Sequence, residues 1–171
     1  MADQLHHYNV KFEKKQFSIT LLCDRVNSPA NIGSIFRVAD SFGVEKIYFC
    51  GEEITVISKR MLRTSRSTHN SIPYQQEDKA LDIIKQYKAN GYRILALEIT
   101  KNSIPISEFK SLNDEKIVLV IGEENSGVSE DILQLVDQSL HINMYGTNSS
   151  MNVAQAAGIA LYEITKQVSS S

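Results

Sequence analysis

The sequence predicts an α/β fold in which helices flank a mostly parallel sheet, and three observations support this prediction. Short apolar strands alternate with amphipathic helical segments along the chain. The segment EKIVLVIG is hydrophobic almost without interruption, which indicates a strand buried on both faces. With 171 residues, 42% of them hydrophobic and 22% charged, the chain has the composition of one ordinary globular domain.

The individual elements follow from hydrophobic periodicity and from start and stop signals. A first strand, FSITLLCDRV, precedes a helix in SPANIGSIFRVADSFG, where Pro29 and Asn31 mark the start and Gly43 the end. The strand EKIYFCG follows, then the amphipathic helix EDKALDIIKQYKANG and the strands YRILALEIT and EKIVLVIG. A short helix in SEDILQLVD, a strand in SLHINM and an alanine-rich helix that begins near Met151 complete the prediction.

Composition and charge exclude several classes of protein. The net charge of −2 argues against nucleic-acid binding over the whole surface but permits a local basic patch. The chain has no run of about 18 apolar residues and no secretory layout at its start, so we expect a cytoplasmic protein without a membrane partner. Cys23 and Cys50 lie in apolar runs typical of free buried thiols, and no metal-ligand spacing is present.

Three polar loops, NSPANIG, GEENSGVS and YGTNSS, each follow a predicted strand and open a helix. Ligands of parallel sheets bind beyond the carboxyl ends of the strands, where these loops are expected to meet. The segment IGEENSGVS has no Lys after its second Gly, as a Walker A loop requires, and no G-x-G-x-x-G opens the first helix. Phosphate binding by either route is therefore not expected, although a small-molecule binder of another kind is an open alternative.

Three segments carry a resemblance to a known family. In order, NIGSIFRVADSFGV, IVLVIGEENSGVSEDIL and INMYGTNSSMNVAQAAGIALYE resemble the three motifs of the SpoU/TrmH ribose methyltransferases of the SPOUT superfamily, over about residues 18 to 166. The resemblance implies an S-adenosylmethionine-dependent enzyme that methylates a ribose 2′-hydroxyl in RNA. It also implies a homodimer and a C-terminal deep trefoil knot. The methyltransferase domain would span residues 18–168, after an N-terminal extension of 1–17 and before a tail of 169–171.

The resemblance also assigns residues. The implied catalytic group comprises Asn31, Arg37, Glu124, Ser150 and Asn152. The implied cofactor-binding group comprises Leu97, Glu98, Gly122, Ile142 and Met151, and no metal is implied. Two positions depart from the family pattern, because Asn143 stands where Pro is common and Glu123 stands where Asn or a small residue is more usual.

Each catalytic assignment has a structural alternative. Asn31 could be only a helix N-cap, and capping alone explains either Ser150 or Asn152. Glu124 could be an exposed loop acid, or an acceptor for backbone N–H groups or for the partner subunit. Arg37 lies on the polar face of its helix and could be an ordinary surface residue. In the enzyme we expect it to stabilise charge, because a guanidinium does not give up its proton.

The segment from Ile54 to Gln76 is the candidate RNA-binding region. It contains no acidic residue, includes Tyr74 and His69, and carries the cations Lys59, Arg60, Arg63 and Arg66. Such a segment is either a solvated face or a track for phosphates, and an RNA enzyme favours the track. The amino-terminal HHYNVKFEKK is a weaker candidate.

The sequence identifies no target nucleotide. We expect tRNA as the substrate, with ribosomal RNA as the alternative. The reason is that a dimer of two such short chains would contact only a compact area of RNA. A knotted RNA-binding module without catalytic activity is a further alternative. The alanine-rich helix that follows YGTNSS is expected to pack closely and to contribute to the interface of an obligate dimer, although a buried core helix is the alternative. A charged residue at Ala157 is therefore expected to cause dissociation or misfolding.

Overall fold

The structure, a computed structural model, describes residues 12–112 and 114–169. Seven strands form one sheet: β1 (Phe17–Asp24), β2 (Val44–Cys50), β3 (Tyr74–Glu77), β4 (Arg93–Leu97), β5 (Ile104–Pro105), β6 (Ile117–Gly122) and β7 (Gln138–His141). The α-helices are α1 (Pro29–Ser41), α2 (Lys59–Ser65), α3 (Ala80–Ala89), α4 (Glu130–Leu133) and α5 (Val153–Ser169). Short 3-10 turns cover Thr68–Asn70 and Ile106–Glu108. The α/β prediction is confirmed.

The strands lie in the order β3-β2-β1-β6-β4-β7-β5, and every pair of neighbouring strands is parallel. All six residues of β6 are buried, as its uninterrupted hydrophobicity predicts for a central strand covered on both faces. Since all strands run the same way, the loops that leave their carboxyl ends gather at one edge of the sheet. The predicted meeting place of the polar loops is therefore present.

Two separate cores cover the two faces of the sheet. Alternating residues of β1 divide between them, since Leu21 belongs to one core and Leu22 to the other. The larger core packs Phe36 of α1 and Leu161 of α5 on the sheet, whereas the smaller core contains Ile84 of α3. Cys23 and Cys50 are free and buried, as predicted, and burial raises the pKa of the Cys50 thiol to about 12.

The start of α1 differs from the predicted capping. Ser28 is the N-cap residue and Pro29 the first helical residue, so Asn31 falls inside the first turn. Asn31 is only 7% exposed. The interpretation of Asn31 as an N-cap is therefore wrong, and its side chain is free to bond elsewhere.

The alanine-rich helix begins at Val153 rather than at Met151. Ala154, Ala157 and Ala160 are buried in the core of the subunit, where α5 packs against α1 and the sheet. Of the two alternatives for Ala157, the structure supports the core, because Ala157 is fully buried within a single chain. The exposed face of α5 instead carries Ile159 and Tyr162.

The basic segment folds into an element that hydrophobic periodicity missed. Helix α2 has seven residues, of which only Met61 and Ser65 are buried, so it lacks a long apolar stripe. It packs closely on α1 at Gly33, where a Cβ atom would lie 2.7 Å from the carbonyl oxygen of Met61. Gly33 thus allows the two helices to approach.

Candidate functional site

A cavity of about 540 Å³ opens at the carboxyl ends of β4, β6 and β7. The last residues of these strands, Leu97, Gly122 and His141, belong to its wall. The loop after β6 supplies residues 123–127, and the loop before α5 supplies Ser149 and Ser150. Both loops come from the polar segments that the sequence singles out. Apolar side chains complete the wall: Ile99, Ile121, Ile142, Met144, Met151, Val153 and Ala156.

All five residues implied for the cofactor line this cavity. They are Leu97, Glu98, Gly122, Ile142 and Met151. The Glu98 carboxylate also accepts hydrogen bonds from the backbone N–H groups of Ile99 and Val128, each at 2.9 Å. The geometry brings the predicted group together around one space, with apolar walls and a few polar groups as small-molecule sites have.

Three of the implied catalytic residues form a hydrogen-bonded cluster next to the cavity. Asn31 donates from Nδ2 to Glu124 Oε1 at 2.5 Å, and Asn152 donates to the same oxygen at 3.2 Å. Asn152 also donates to Asn31 Oδ1 at 2.9 Å. Its own Oδ1 accepts from the backbone N–H groups of Ala154 and Gln155, so Asn152 caps α5. The cluster ties the starts of α1 and α5 to the loop after β6.

Glu124 is an acceptor, as the sequence interpretation anticipates, but its partners are side-chain amides rather than backbone N–H groups. It also lines the cavity. Ser150 is exposed and lines the cavity. Ser150 and Glu124 therefore face the same space as the residues implied for the cofactor.

Glu123 has a role that the sequence did not reveal. Its carboxylate accepts hydrogen bonds from the backbone N–H and the hydroxyl of Ser126 and from the side chain of Asn125, closing a tight turn. These bonds, led by the Ser126 backbone N–H, lower the pKa of Glu123. The turn folds back onto Gly122, where any Cβ atom would collide with the backbone of Gly127. Glu123, which departs from the family pattern, thus shapes the cavity wall. In the sequence, the only signal for this role was an unusual acidic residue inside a motif.

Arg37 lies away from the cavity wall on the exposed side of α1, as its position on the polar helix face predicts. It follows Asn31 by about 9 Å along the helix axis. Val38, the next residue, packs toward Gly158 of α5, and Arg37 points about 100° around the helix from it. Within one subunit, Arg37 thus belongs neither to the cavity wall nor to the hydrogen-bonded cluster of Asn31, Glu124 and Asn152.

The four cations of the basic segment are exposed on and beside α2. They are Lys59, Arg60, Arg63 and Arg66, and among residues 12–112 and 114–169 none of them forms an ion pair with a carboxylate. Tyr74 is not part of this surface, because its ring packs inward at 5.2 Å from the ring of Phe36 and 6.5 Å from that of Phe49. Most of the second basic candidate, HHYNVKFEKK, lies outside the described residues.

Metal-binding clusters and membrane-spanning helices are both absent from the part of the chain that the structure describes. That part contains no group of three or more His, Cys, Asp or Glu residues arranged to hold a metal ion. None of its helices is both long enough and apolar enough to cross a membrane.

Comparison with known proteins gives a consistent result. The chain is 31% identical over 156 residues to a tRNA (guanosine(18)-2′-O)-methyltransferase of Aquifex aeolicus, a match that covers 91% of this chain and 72% of that protein. It is 28% identical over 144 residues to the 23S rRNA (guanosine(2553)-2′-O)-methyltransferase RlmP of Bacillus subtilis, covering 84% of this chain and 56% of that one.

A solved structure is also similar. The SpoU methyltransferase AviRb from Streptomyces viridochromogenes, in complex with the cofactor AdoMet, superposes with a TM-score of 0.80 at 29% identity, covering 100% of this chain and 67% of that one. Residues 18–162 match the model of the SpoU rRNA methylase family. The match spans most of the sequence and includes all the residues that line the cavity. The chain therefore belongs to the SpoU rRNA methylase family.

Proposed function

We propose that this protein transfers a methyl group from S-adenosylmethionine to a ribose 2′-hydroxyl in RNA. The observation that carries the proposal is the convergence of the three motifs. Asn31, Glu124 and Asn152 come from separate motifs and bond to one another beside a cavity that Glu124 itself lines. The named relatives in Aquifex aeolicus and Bacillus subtilis are both RNA 2′-O-methyltransferases.

The cavity fits S-adenosylmethionine in size and chemistry. About 540 Å³ is within the range of small-molecule sites. Apolar residues such as Leu97, Ile142 and Met151 can cover the faces of an adenine ring, while backbone groups at the strand ends read its edge. Glu98, Glu123 and Glu124 place negative charge on the wall, which suits a ligand with a sulfonium and an ammonium group.

The bound cofactor would supply an electrophilic methyl group, so the protein has to align the ribose oxygen and stabilise charge. The guanidinium of Arg37 can hold a neighbouring phosphate and stabilise the oxygen as it loses its proton. Arg37 itself is not the base, because it stays protonated. The hydrogen bonds among Asn31, Glu124 and Asn152 hold the cavity wall and the starts of α1 and α5 in fixed relative positions. Ser150 offers a hydroxyl to the substrate or cofactor.

We favour tRNA as the substrate, with ribosomal RNA as the alternative, since the relatives include enzymes for both. The cations on and beside α2 would bind the phosphates, because they are exposed and unpaired by carboxylates within the described residues. A cytoplasmic location is proposed with this function, because tRNA and ribosomes are found there.

The proposal includes a homodimer formed through α5. An apolar groove, called here the α5 groove, is lined by Phe42, Met151, Gln155, Gly158, Ile159 and Tyr162. Ile159 is 41% exposed and Tyr162 59% exposed, which is unfavourable for a lone subunit. Met151 belongs to both the groove and the cofactor cavity, so a second subunit in the groove would adjoin the cavity. Pairing would also offer a route by which Arg37 of one subunit reaches the cavity of the other.

We also propose that the C-terminal region forms the trefoil knot of the family. Two features support it. The chain has to return from β7, near one edge of the sheet, to reach α5 beside α1. On that path, residues 149–151 lie against the same cavity as the turn after β6.

A two-stage experiment tests the function. Calorimetric titration with S-adenosylmethionine should show binding to one site per chain, which a general small-molecule binder without this specificity would not show. Transfer of labelled methyl groups to bulk tRNA and, separately, to ribosomal RNA then separates an enzyme from an inactive RNA-binding module. Mass-spectrometric mapping of missing 2′-O-methyl groups in a deletion strain identifies the nucleotide. Binding without transfer to either RNA would contradict the proposed activity.

A further inference from the structure

The turn after β6 comprises residues 123–129, between β6 and α4. Residues at the ends of the two neighbouring strands hold this turn from both sides. In the sheet, β6 lies between β1 and β4, so the chain that leaves β6 passes between their carboxyl ends. This turn forms one wall of the cofactor cavity. Contacts with the turn therefore act on the shape of the cavity.

On the β4 side, Glu98 contacts the turn. Its Oε2 accepts a hydrogen bond from the backbone N–H of Val128 at 2.9 Å, and its Oε1 accepts from the N–H of Ile99 at 2.9 Å. Gly127 has a φ of +65°, and a Cβ atom there would collide with the Glu98 carboxylate. The close approach of the carboxylate to the turn thus requires glycine at this position.

On the β1 side, two consecutive residues contact the same turn. Asp24 is 4% exposed, and its Oδ2 accepts from the backbone N–H of Ser129 at 2.8 Å. Arg25 donates from Nη2 to the carbonyl oxygen of Gly127 at 3.1 Å and pairs with Asp24 at 3.4 Å. Arg25 has a φ of 58°, in the left-handed region that side chains other than glycine seldom adopt. Three successive residues of the turn, 127–129, are thus bound through their backbones.

We propose that Asp24, Arg25 and Glu98 form a two-sided clasp that fixes the turn after β6 in its cofactor-binding shape. This inference rests on the proposed function and deepens it. The three are positioning residues, because they act through the backbone of residues 127–129 rather than on the reacting atoms. In this arrangement Glu98 shapes the cavity by fixing the turn, so its carboxylate does not have to bind the cofactor.

The alternative is that Glu98 contacts the cofactor directly, since it also lines the cavity. The two roles predict different amide exchange in the ligand-free protein. Glu98→Gln leaves one acceptor oxygen for two N–H donors and turns an NH₂ group toward one of them. In the ligand-free protein, the amide of Val128, which donates to Glu98, should then exchange with deuterium about tenfold faster. A purely direct role leaves that exchange unchanged.

The experiment measures amide exchange at residues 127–129, affinity for S-adenosylhomocysteine, and methyl-transfer kinetics of the intact chain. For Glu98→Gln we expect the affinity for S-adenosylhomocysteine to fall about tenfold and the KM for S-adenosylmethionine to rise with it. Arg25→Met removes a half-exposed contact and should show both effects more weakly, which keeps the test valid if Glu98→Gln folds poorly. Glu115→Gln is the matched control, because Glu115 also accepts a backbone N–H, from Leu112, without lining the cavity.

Three results would overturn the clasp. They are weaker binding with unchanged exchange, faster exchange with unchanged affinity, and no change in either quantity. If the wild-type protein binds neither S-adenosylhomocysteine nor S-adenosylmethionine, the proposed function fails. That failure is recognisable separately, because the exchange measurement is made on the ligand-free protein.

Discussion

Asn152 donates a hydrogen bond to Asn31 Oδ1 at 2.9 Å, although the two residues are 121 positions apart in the chain. Both side chains also donate to Glu124 Oε1. One carboxylate oxygen therefore joins the start of α1, the cap of α5 and the turn after β6. The family motifs meet through this cluster, which gives it a structural role that can be separated from catalysis.

Glu124→Ala and Glu124→Gln should therefore differ. The alanine variant removes the acceptor of the buried Asn31 amide and leaves the Asn152 amide with Asn31 Oδ1 alone, and it should lose about 1–3 kcal/mol of unfolding free energy. The glutamine variant keeps an acceptor oxygen and should lose less than half as much. Urea denaturation followed by circular dichroism measures both. Equal loss in the two variants would show that the charge, rather than the acceptor, stabilises the cluster.

Arg37→Ala should nearly abolish methyl transfer while S-adenosylmethionine affinity stays within a few fold. Arg37 does not line the cavity, so its removal leaves the cofactor contacts intact. Arg37→Lys keeps the charge but not the planar fork, and should recover only part of the rate. Single-turnover kinetics at saturating RNA measures the rate of methyl transfer, and calorimetry measures the affinity for the cofactor. Substantial turnover by Arg37→Ala would remove this residue from the transition state.

If the proposed homodimer forms, mixed dimers can show which subunit supplies Arg37. Arg37→Ala is combined with Ile142→Arg, a variant that should fill the cavity, and the two inactive chains are allowed to exchange subunits. If Arg37 acts on the partner's cavity, random mixing should restore about a quarter of the wild-type activity, since half the dimers then hold one complete site. Activity that stays at background after verified subunit exchange would place Arg37 and the cavity in the same subunit.

The fold was largely predictable because its main elements have local signals. The uninterrupted apolar run of β6 and the Gly43 stop after α1 are both readable within a few residues. Helix α2 was not predictable, because it is short and is stabilised by its contact with Gly33 of α1 rather than by its own apolar stripe. Local patterns cannot report such tertiary stabilisation.

The site was only partly predictable. Family resemblance supplied the residues that surround the cavity, but spacing alone could not, since Asn31 and Glu124 are 93 positions apart. The sequence favours Asn31 as a cap because Asn near a Pro usually marks a helix start, and Ser28 holds that position instead. Glu123 stands out in the sequence only as a departure from the motif, and the turn that it closes is evident only from the geometry.

Replacing Arg60, Arg63 and Arg66 together by Gln should weaken RNA binding and flatten its salt dependence. The slope of log affinity against log salt should become shallower by about 0.7 to 0.9 for each phosphate that the variant no longer binds. Filter binding of tRNA at several salt concentrations measures the slope, and cofactor affinity should be unchanged. The matched control replaces Lys85, Lys101 and Lys110, which are exposed outside this segment. Equal slopes for the two triple variants would make the segment an ordinary solvated face.

The turn closed by Glu123 should be sensitive to acid. The pKa of Glu123 lies below its usual value of 4.5, chiefly because the backbone N–H of Ser126 bonds to the ionised form. The stabilisation is thus fully present above about pH 4.5 and is lost as the pH falls through the lowered folded value. Carboxyl-detected NMR titration should show this, and Ser126→Ala should move the pKa part of the way back. Ser41→Ala is the control, and an unmoved pKa in Ser126→Ala would contradict the assignment.

The proposed homodimer should depend on the exposed face of α5 rather than on its buried alanines. Ala157→Arg would report only on folding, because that side chain is fully buried within one subunit. Tyr162→Glu and Ile159→Glu instead place charge in the α5 groove while sparing the core. A stable interface buries about 800 Å² per partner, and a desolvated carboxylate near its centre should raise the dissociation constant at least about a hundredfold.

Leu112→Glu, at a position 71% exposed outside the groove, is the matched control. Sedimentation velocity should show a dimer for the wild type and the control and a folded monomer for the groove variants. A wild type that is monomeric and active at micromolar concentration would contradict the dimer and the shared site together.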